Sequence, residues 1–203
     1  MRNLPLKPVF LLVFLGWLGL IAIGYTWLFR YSFVAGEAST APGSVPHSLA
    51  SSNSSSRWQV FLALHPRCPC STATVRELAK ILTRATDVSV VTVLMYKPSN
   101  EPDSWLEGRL LDECRRMNCR VRSDPEGSYA RVLGAVTSGD VVVYDASGKL
   151  RYHGGITGSR GHEGDNLGQQ SVIDLLRGRN ASRTSMPVFG CPIQKKDAEK
   201  GSL

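Results

Sequence analysis

The fold is decided by the stretch WQVFLALHPRCPCSTATVRELAKIL, residues 58–82. Its first seven residues are apolar and rich in strand formers, which predicts a buried strand. The tripeptide His65-Pro66-Arg67 interrupts this pattern, and apolar residues recur at helical spacing from Ser71 onward. We therefore expect a strand that leads through a short turn into a helix, with Cys68-Pro69-Cys70 at the junction.

This placement favours thiol chemistry at Cys68. Pro69 suits the first position of a helix, where its missing N–H costs nothing, so Cys68 becomes the N-cap residue. Its sulfur then faces unpaired backbone N–H groups and the positive end of the helix dipole, which favour the reactive thiolate. We expect His65 and Arg67 to add positive potential. The alternative is a buried cysteine that only packs against the core.

An apolar run precedes this region. Residues 8–29, PVFLLVFLGWLGLIAIGYTWLF, come close to the roughly 20 residues that span a bilayer. Arg2 and Lys7 precede the run, which predicts a cytoplasmic N-terminus. A cleaved signal peptide has a shorter apolar core of about 7–15 residues. The sequence therefore favours an uncleaved signal anchor, with the rest of the chain outside the cytoplasm.

Composition divides the chain into four parts. We expect a cytoplasmic stub and transmembrane anchor in 1–33, and a flexible Ser/Pro/Ala-rich tether in 34–56. One domain is predicted in 57–180, followed by a C-terminal tail in 181–203 that carries Cys191. The net charge of +7 comes from scattered basic residues without a nucleic-acid motif, so we expect no nucleic acid partner.

The order of elements predicts an α/β fold. A second apolar strand is expected over 87–95 and a helix over 104–117. A hairpin is predicted from 140–145 and 150–153, and a last helix over 166–177. Strands that alternate with helices imply parallel crossovers, and the late hairpin adds antiparallel strands. The prediction is a mixed sheet flanked by helices.

This order, with a cysteine motif after the first strand, resembles the thioredoxin-like superfamily over about residues 58–177. It is most similar to the redoxin branch, which includes peroxiredoxins and the membrane-tethered proteins of cytochrome c maturation. The loop 154–166 and the stretch PVFGCP at 187–192 also resemble anchored bacterial redoxin-like proteins labelled RedB. The resemblance implies a thioredoxin-like sheet behind one transmembrane helix, in the bacterial inner membrane and facing the periplasm.

Two positions depart from the family pattern. Gly139, within GAVTSGDVVVYD at 134–145, stands where the family carries a cis-proline that packs against the sulfurs and helps bind the partner chain. The spacing Cys68-x-Cys70 is one residue shorter than the Cys-x-x-Cys of thioredoxins. Peroxiredoxins carry Thr-x-x-Cys, and His65 replaces that threonine here. The alignment marks Cys68 as the reactive position.

The five cysteines leave several pairings open. An odd number outside the cytoplasm indicates a free or exchanging thiol. Cys68 and Cys70 would point about 200° apart on one helical turn, so a bond between them requires distortion. Cys70 either resolves an intermediate at Cys68 or packs in the core. Typical peroxiredoxins carry a resolving cysteine before a proline in a C-terminal segment. The resemblance therefore implies the role of resolving cysteine for Cys191. Two structural alternatives remain. One is a bond from Cys191 to Cys114 or Cys119, and the other is a bond between Cys114 and Cys119.

The glycine-rich loop 154–166 contributes the remaining candidates. Arg160 or His162 is expected to reach the sulfur site, as electrostatic support for the thiolate or as a proton donor. Asp165 or Asn166 is expected to cap the following helix. A loop histidine that is simply solvated is the alternative for His162.

The leading hypothesis is an extracytoplasmic thiol–disulfide oxidoreductase or peroxidase-like protein. Cys68 would attack a protein disulfide or a small oxidant, and Cys70 or Cys191 would resolve the intermediate. No cofactor is expected. The second hypothesis is a copper-binding or copper-delivery module in which Cys68, Cys70 and His162 hold a soft ion. A third is an inert scaffold whose cysteines form structural bonds.

Overall fold

The computed structural model describes residues 6–37, 39–50, 58–85 and 90–193. It divides into two compact units, the first ending at Val34 and the second beginning at Ala35. The first unit contains helix α1, Leu6–Phe33. Its segment Pro8–Phe33 is long and apolar enough to cross a membrane. Arg2, on which the predicted orientation depends, lies outside the described residues.

The second unit contains a six-stranded mixed sheet within the described part of the chain, in the order β3-β2-β1-β4-β5-β6. Strand β1 is parallel to β2, β2 to β3 and β5 to β6, whereas β4 is antiparallel to β1 and β5. The predicted α/β class with a mixed sheet is confirmed. The strands are β1 Gln59–Leu64, β2 Val90–Lys97, β3 Arg120–Pro125, β4 Asp140–Tyr144, β5 Leu150–Gly155 and β6 Ser185–Met186. The helices are α2 Pro69–Arg84, α3 Arg109–Arg116, α4 Ser128–Val132 and α5 Leu167–Leu176.

Apolar clusters cover both faces of this sheet. One cluster joins strand side chains to Leu78 of α2 and Val172 of α5. The other packs Phe61 and Tyr144 of the sheet against Leu133, which follows α4. Strand β1 lies between these clusters, and all six of its residues are buried. This explains why β1 reads as a continuous apolar run without alternation.

Two elements differ from the sequence-based expectation. The helix expected over 104–117 is divided into a 3₁₀ helix, Asp103–Leu106, and α3, Arg109–Arg116. Gly108 separates them with a φ of 143°, a conformation that is accessible to glycine but rarely to other residues. Strand β6 was not predicted, because two residues are too few to show an alternating pattern.

Part of the segment expected to be a flexible tether is packed on the domain. The Leu150 N–H donates to the Gly43 carbonyl, and Ser44 forms an isolated antiparallel bridge with Lys149. Ala41 and Leu49 are buried. Backbone pairing with the β4–β5 hairpin therefore orders residues that their composition marked as a linker. Residues 38 and 51–56 of the predicted tether lie outside the described residues.

Candidate functional site

Cys68 lies at the junction that the sequence predicted. Strand β1 ends at Leu64, α2 begins at Pro69, and Cys68 is the N-cap residue with extended backbone. The Cys68 N–H donates to the His65 carbonyl at 3.0 Å, which closes the turn between the two elements. Cys68 and Cys70 are both buried. The local sequence thus places two thiols at the positive end of a helix.

The C-terminal segment brings a third thiol to this point. The Sγ atoms of Cys68 and Cys191 are 2.9 Å apart, and the Sγ atoms of Cys68, Cys70 and Cys191 all lie within 4.8 Å of one another. All five cysteines are free. Cys114 and Cys119 are buried at the end of α3, where the Cys119 N–H donates to the Cys114 carbonyl. Cys191 therefore contacts Cys68, rather than the two cysteines of the structural alternative.

Backbone pairing holds Cys191 in this position. The Ser138 N–H donates to the Cys191 carbonyl at 2.8 Å, and the Ile193 N–H donates to the Val136 carbonyl at 2.9 Å. Gly190 makes the approach possible, because a Cβ at this position would lie 1.8 Å from the Ser138 carbonyl oxygen. A short antiparallel pairing between 136–138 and 191–193 therefore carries the third sulfur to the site.

Gly139 directly follows the paired segment. Its φ is 100°, and its N–H donates to the Ala63 carbonyl at 2.8 Å. A Cβ here would lie 2.9 Å from Thr74 Oγ1. No cis peptide bond occurs among the described residues. Glycine thus occupies the position where the resemblance expects a cis-proline, and the chain's own C-terminal segment pairs with the residues that precede it.

Two serines connect this loop to the start of α2. Ser138 Oγ accepts a hydrogen bond from the His65 N–H at 2.9 Å and lies 2.9 Å from Ser71 Oγ. Ser71 Oγ also contacts the His65 carbonyl at 2.9 Å. Both serines are buried. These bonds fix the 136–138 segment relative to Cys68, and no sequence motif predicted them.

The three thiols have different pKa values because their surroundings differ. Burial raises the pKa of Cys68, but hydrogen bonds with the Cys191 side chain and backbone, the Cys70 backbone and the Ser71 side chain together outweigh this effect, so its pKa lies below the ordinary value. Burial and the nearby charge of Cys68 raise the pKa of Cys70. Burial and the interaction with Cys68 raise the pKa of Cys191 to about 12. Cys68 is therefore the first of the three to become a thiolate, with Cys191 as its protonated neighbour.

Of the two loop candidates, Arg160 lies at the sulfur site. Its guanidinium group donates to the Gly190 carbonyl, next to Cys191. Its positive charge favours the thiolates of Cys70 and Cys191, against the larger effect of burial. His162 is exposed, and its backbone N–H donates to the Ser159 carbonyl. The cluster of metal-ligating atoms contains Cys191 in place of His162.

A buried acid that the sequence analysis overlooked positions this loop. The Glu77 side chain is fully buried and accepts hydrogen bonds from the Gly164 N–H at 2.8 Å, from Gln169 Nε2 and from Lys80 Nζ. Asn166 caps α5 by accepting a hydrogen bond from the Gln169 N–H. In the sequence, Glu77 stands at the helical spacing of the apolar positions of α2. A charged residue at such a position indicates a buried acid with specific hydrogen-bond partners.

The side chains of His65, Tyr96 and Trp105 form an aromatic wall beside Cys68. The His65 ring stacks on Tyr96 with centroids 5.2 Å apart, and the guanidinium group of Arg67 lies 4.7 Å from the centre of the Trp105 ring. Burial, assisted by the Arg67 charge, lowers the pKa of His65. The ring is therefore neutral at pH 7 and does not add the positive potential expected from the sequence. Its Nδ1 accepts a hydrogen bond from the Arg67 N–H.

A cleft of about 650 Å³ opens between this wall and the C-terminal segment. Cys68 and Cys191 contribute to its lining together with Tyr96, Trp105 and Arg131. A chain or small molecule that enters the cleft lies against Cys68 and Cys191, of which Cys191 is partly exposed. The arrangement offers an activated thiol, a second thiol in contact with it, and an aromatic and basic surface for binding.

Comparisons with proteins of known structure support the fold. No model of a known protein family matches the chain, and no curated protein is significantly similar to it. A hypothetical protein from Sinorhizobium meliloti is 19% identical with a TM-score of 0.54, over 82% of this chain and 98% of its own. An uncharacterized conserved protein from Geobacillus kaustophilus is 16% identical with a TM-score of 0.52, over 82% and 96%.

A third structure is a secreted Mycobacterium tuberculosis disulfide oxidoreductase described as homologous to Escherichia coli DsbE. It is 14% identical over 46% of this chain and 66% of its own, with a TM-score of 0.37. The first two structures show that this arrangement of strands and helices occurs in other bacterial proteins.

Proposed function

We propose that this protein is a thiol–disulfide oxidoreductase of thioredoxin-like type, in which Cys68 is the nucleophile and Cys191 the resolving thiol. The contact of 2.9 Å between their Sγ atoms carries the proposal. A disulfide needs two sulfurs about 2.05 Å apart, so a small movement of the C-terminal segment suffices. Thiolate attack at a helix N-terminus and resolution by a neighbouring thiol form a complete exchange cycle.

The reaction proceeds in two exchanges. The Cys68 thiolate attacks one sulfur of a partner disulfide, which forms a mixed disulfide and releases the other partner sulfur as a thiolate. Cys191 then loses its proton, attacks Cys68 Sγ, and releases the first partner sulfur. The partner gains two electrons and two protons, and the chain is left with a Cys68–Cys191 disulfide. Arg160, bonded to the Gly190 carbonyl, stabilises the Cys191 thiolate during the second exchange.

The partner of this reaction is a protein disulfide that enters the cleft beside the aromatic wall. Tyr96 and Trp105 provide apolar contact area, and Arg67 and Arg131 add positive charge around it. Such a surface suits a peptide segment that carries an aromatic or acidic side chain near its cysteine. We further propose that α1 anchors the domain in the bacterial inner membrane, facing the periplasm.

The function is tested on the full-length chain in detergent. After complete reduction, the protein is treated with a model disulfide, quenched with an alkylating reagent and mapped by peptide mass spectrometry. We expect a Cys68–Cys191 disulfide, a trapped mixed disulfide at Cys68 in the Cys191→Ala variant, and no exchange in Cys68→Ala. Cys119→Ala is the matched control, because Cys119 is buried away from the sulfur cluster. Full exchange by Cys68→Ala would refute the proposal.

A further inference from the structure

Three sulfur atoms converge on one point from different parts of the chain. Cys68 belongs to the turn after β1, Cys70 to the first turn of α2, and Cys191 to the C-terminal segment. Their Sγ atoms lie within 4.8 Å of one another. Disulfide exchange uses only two of these thiols at a time. Cys70 is therefore a buried thiol at the site that the proposed exchange cycle leaves without a role.

The spacing of the sulfurs fits a three-coordinate metal ion. Thiolate ligands bind such ions at about 2.3 Å, so an ion at the centre of three sulfurs separates them by about 4.0 Å. This separation lies within the 4.8 Å that encloses the three Sγ atoms. The pair Cys68–Cys191, now 2.9 Å apart, has to open by about 1.1 Å. Cys191 can supply this movement because it is the only partly exposed member of the three.

The donor set selects a soft ion. Thiolates favour Cu(I) among the common metals, whereas structural Zn(II) sites use four ligands. Within the described residues, the cluster contains no histidine or carboxylate that would provide a fourth ligand. Three thiolates with Cu(I) leave two negative charges, and the Arg160 guanidinium group beside Cys191 offsets part of them. Burial of Cys68 and Cys70 keeps water away from the ion.

From this convergence we propose that the reduced protein binds one Cu(I) ion through the thiolates of Cys68, Cys70 and Cys191. The site does not depend on the exchange reaction, but it competes with that reaction for the same sulfurs. A partner disulfide that oxidises Cys68 and Cys191 takes their two electrons, and Cu(I) keeps Cys70 as its single protein ligand. Metal binding and disulfide formation are therefore mutually exclusive states of the site.

The test is an anaerobic titration of the reduced full-length chain in detergent with Cu(I), in competition with a chromophoric Cu(I) chelator. We expect one ion per chain and a coordination shell of sulfur alone in X-ray absorption. Loss of a residue that merely supports a ligand commonly costs about 10–100-fold in metal affinity. Cys70→Ala, which removes a ligand, should therefore weaken binding at least about tenfold.

Two further measurements separate this site from the exchange reaction. Cys70→Ala should still form the Cys68–Cys191 disulfide, which shows that the variant is folded, and Cys119→Ala should bind Cu(I) with unchanged affinity. The proposal is overturned if the reduced protein surrenders all Cu(I) to the chelator, or if Cys70→Ala binds the ion as tightly as the parent chain. It is equally overturned if Zn(II) displaces Cu(I). These three metal-binding outcomes leave the proposed disulfide exchange between Cys68 and Cys191 untouched.

Discussion

Replacement of Gly190 by alanine should separate Cys191 from Cys68 without altering any thiol. A Cβ at position 190 would lie 1.8 Å from the Ser138 carbonyl oxygen, whereas ordinary contact begins at 3.4 Å. The two backbone segments must therefore move apart by about 1.6 Å, the difference between these distances. Because the obstacle is backbone rather than a flexible side chain, rotation of a side chain cannot relieve it.

The energetic consequence follows from the contacts that hold the C-terminal segment. The hydrogen bond from the Ser138 N–H to the Cys191 carbonyl contributes about 0.5–1.5 kcal/mol, and the charged one from Arg160 to Gly190 about 1.5–3 kcal/mol. Losing both destabilises the docked segment by about 2–4.5 kcal/mol. For a two-electron couple, this makes the Cys68–Cys191 disulfide easier to reduce by about 40–95 mV.

The assay is a redox titration of full-length protein in glutathione buffers, with alkylation and peptide mapping to quantify the disulfide. Gly158→Ala is the matched control, because a Cβ there meets only the Asn166 side chain at 3.9 Å. The midpoint potential should become less negative in Gly190→Ala and stay unchanged in Gly158→Ala. An unchanged potential in folded Gly190→Ala would refute the argument that this close backbone approach couples the two thiols.

Three further predictions concern the acids and thiols of the domain. Glu77→Ala leaves the Gly164 N–H and the Gln169 amide without their acceptor, so the free energy of unfolding in urea should fall by about 2–6 kcal/mol. An unchanged free energy of unfolding would contradict the positioning role of Glu77. Because the pKa of Cys68 is lowered and that of Cys191 raised, Cys68 should be alkylated first as pH rises. In Cys191→Ala, the pH profile of Cys68 alkylation should shift to higher pH. Equal alkylation rates at Cys68 and Cys191 would count against this order. Burial raises the pKa of Asp140, whose Oδ1 has no hydrogen-bond partner. Its protonated form therefore favours the folded state at low pH, and this contribution is lost as pH rises through the raised pKa. Denaturation curves at several pH values should show this loss in the parent chain and not in Asp140→Asn.

The sequence determined the local chemistry around Cys68. An apolar strand, a proline at the first helical position and apolar spacing in α2 are properties of neighbouring residues, so they placed Cys68 at a helix N-terminus correctly. The mixed α/β sheet and the apolar α1 were predictable for the same reason. The neutral state of His65 was not, because its pKa depends on burial beside Tyr96 and Arg67.

Only the tertiary structure decided which residues complete the site. Cys191 is 123 positions from Cys68, and a pairing of the 191–193 segment with 136–138 brings them together. Arg160 donates to the Gly190 carbonyl, and Glu77 of α2 accepts hydrogen bonds from Gly164 in the same loop as Arg160 and from Gln169 in α5. The physical reason is that periodicity and capping act between near neighbours in the chain. Contacts between distant segments depend instead on how closely two backbones can approach, which at Gly190 requires the absence of a side chain.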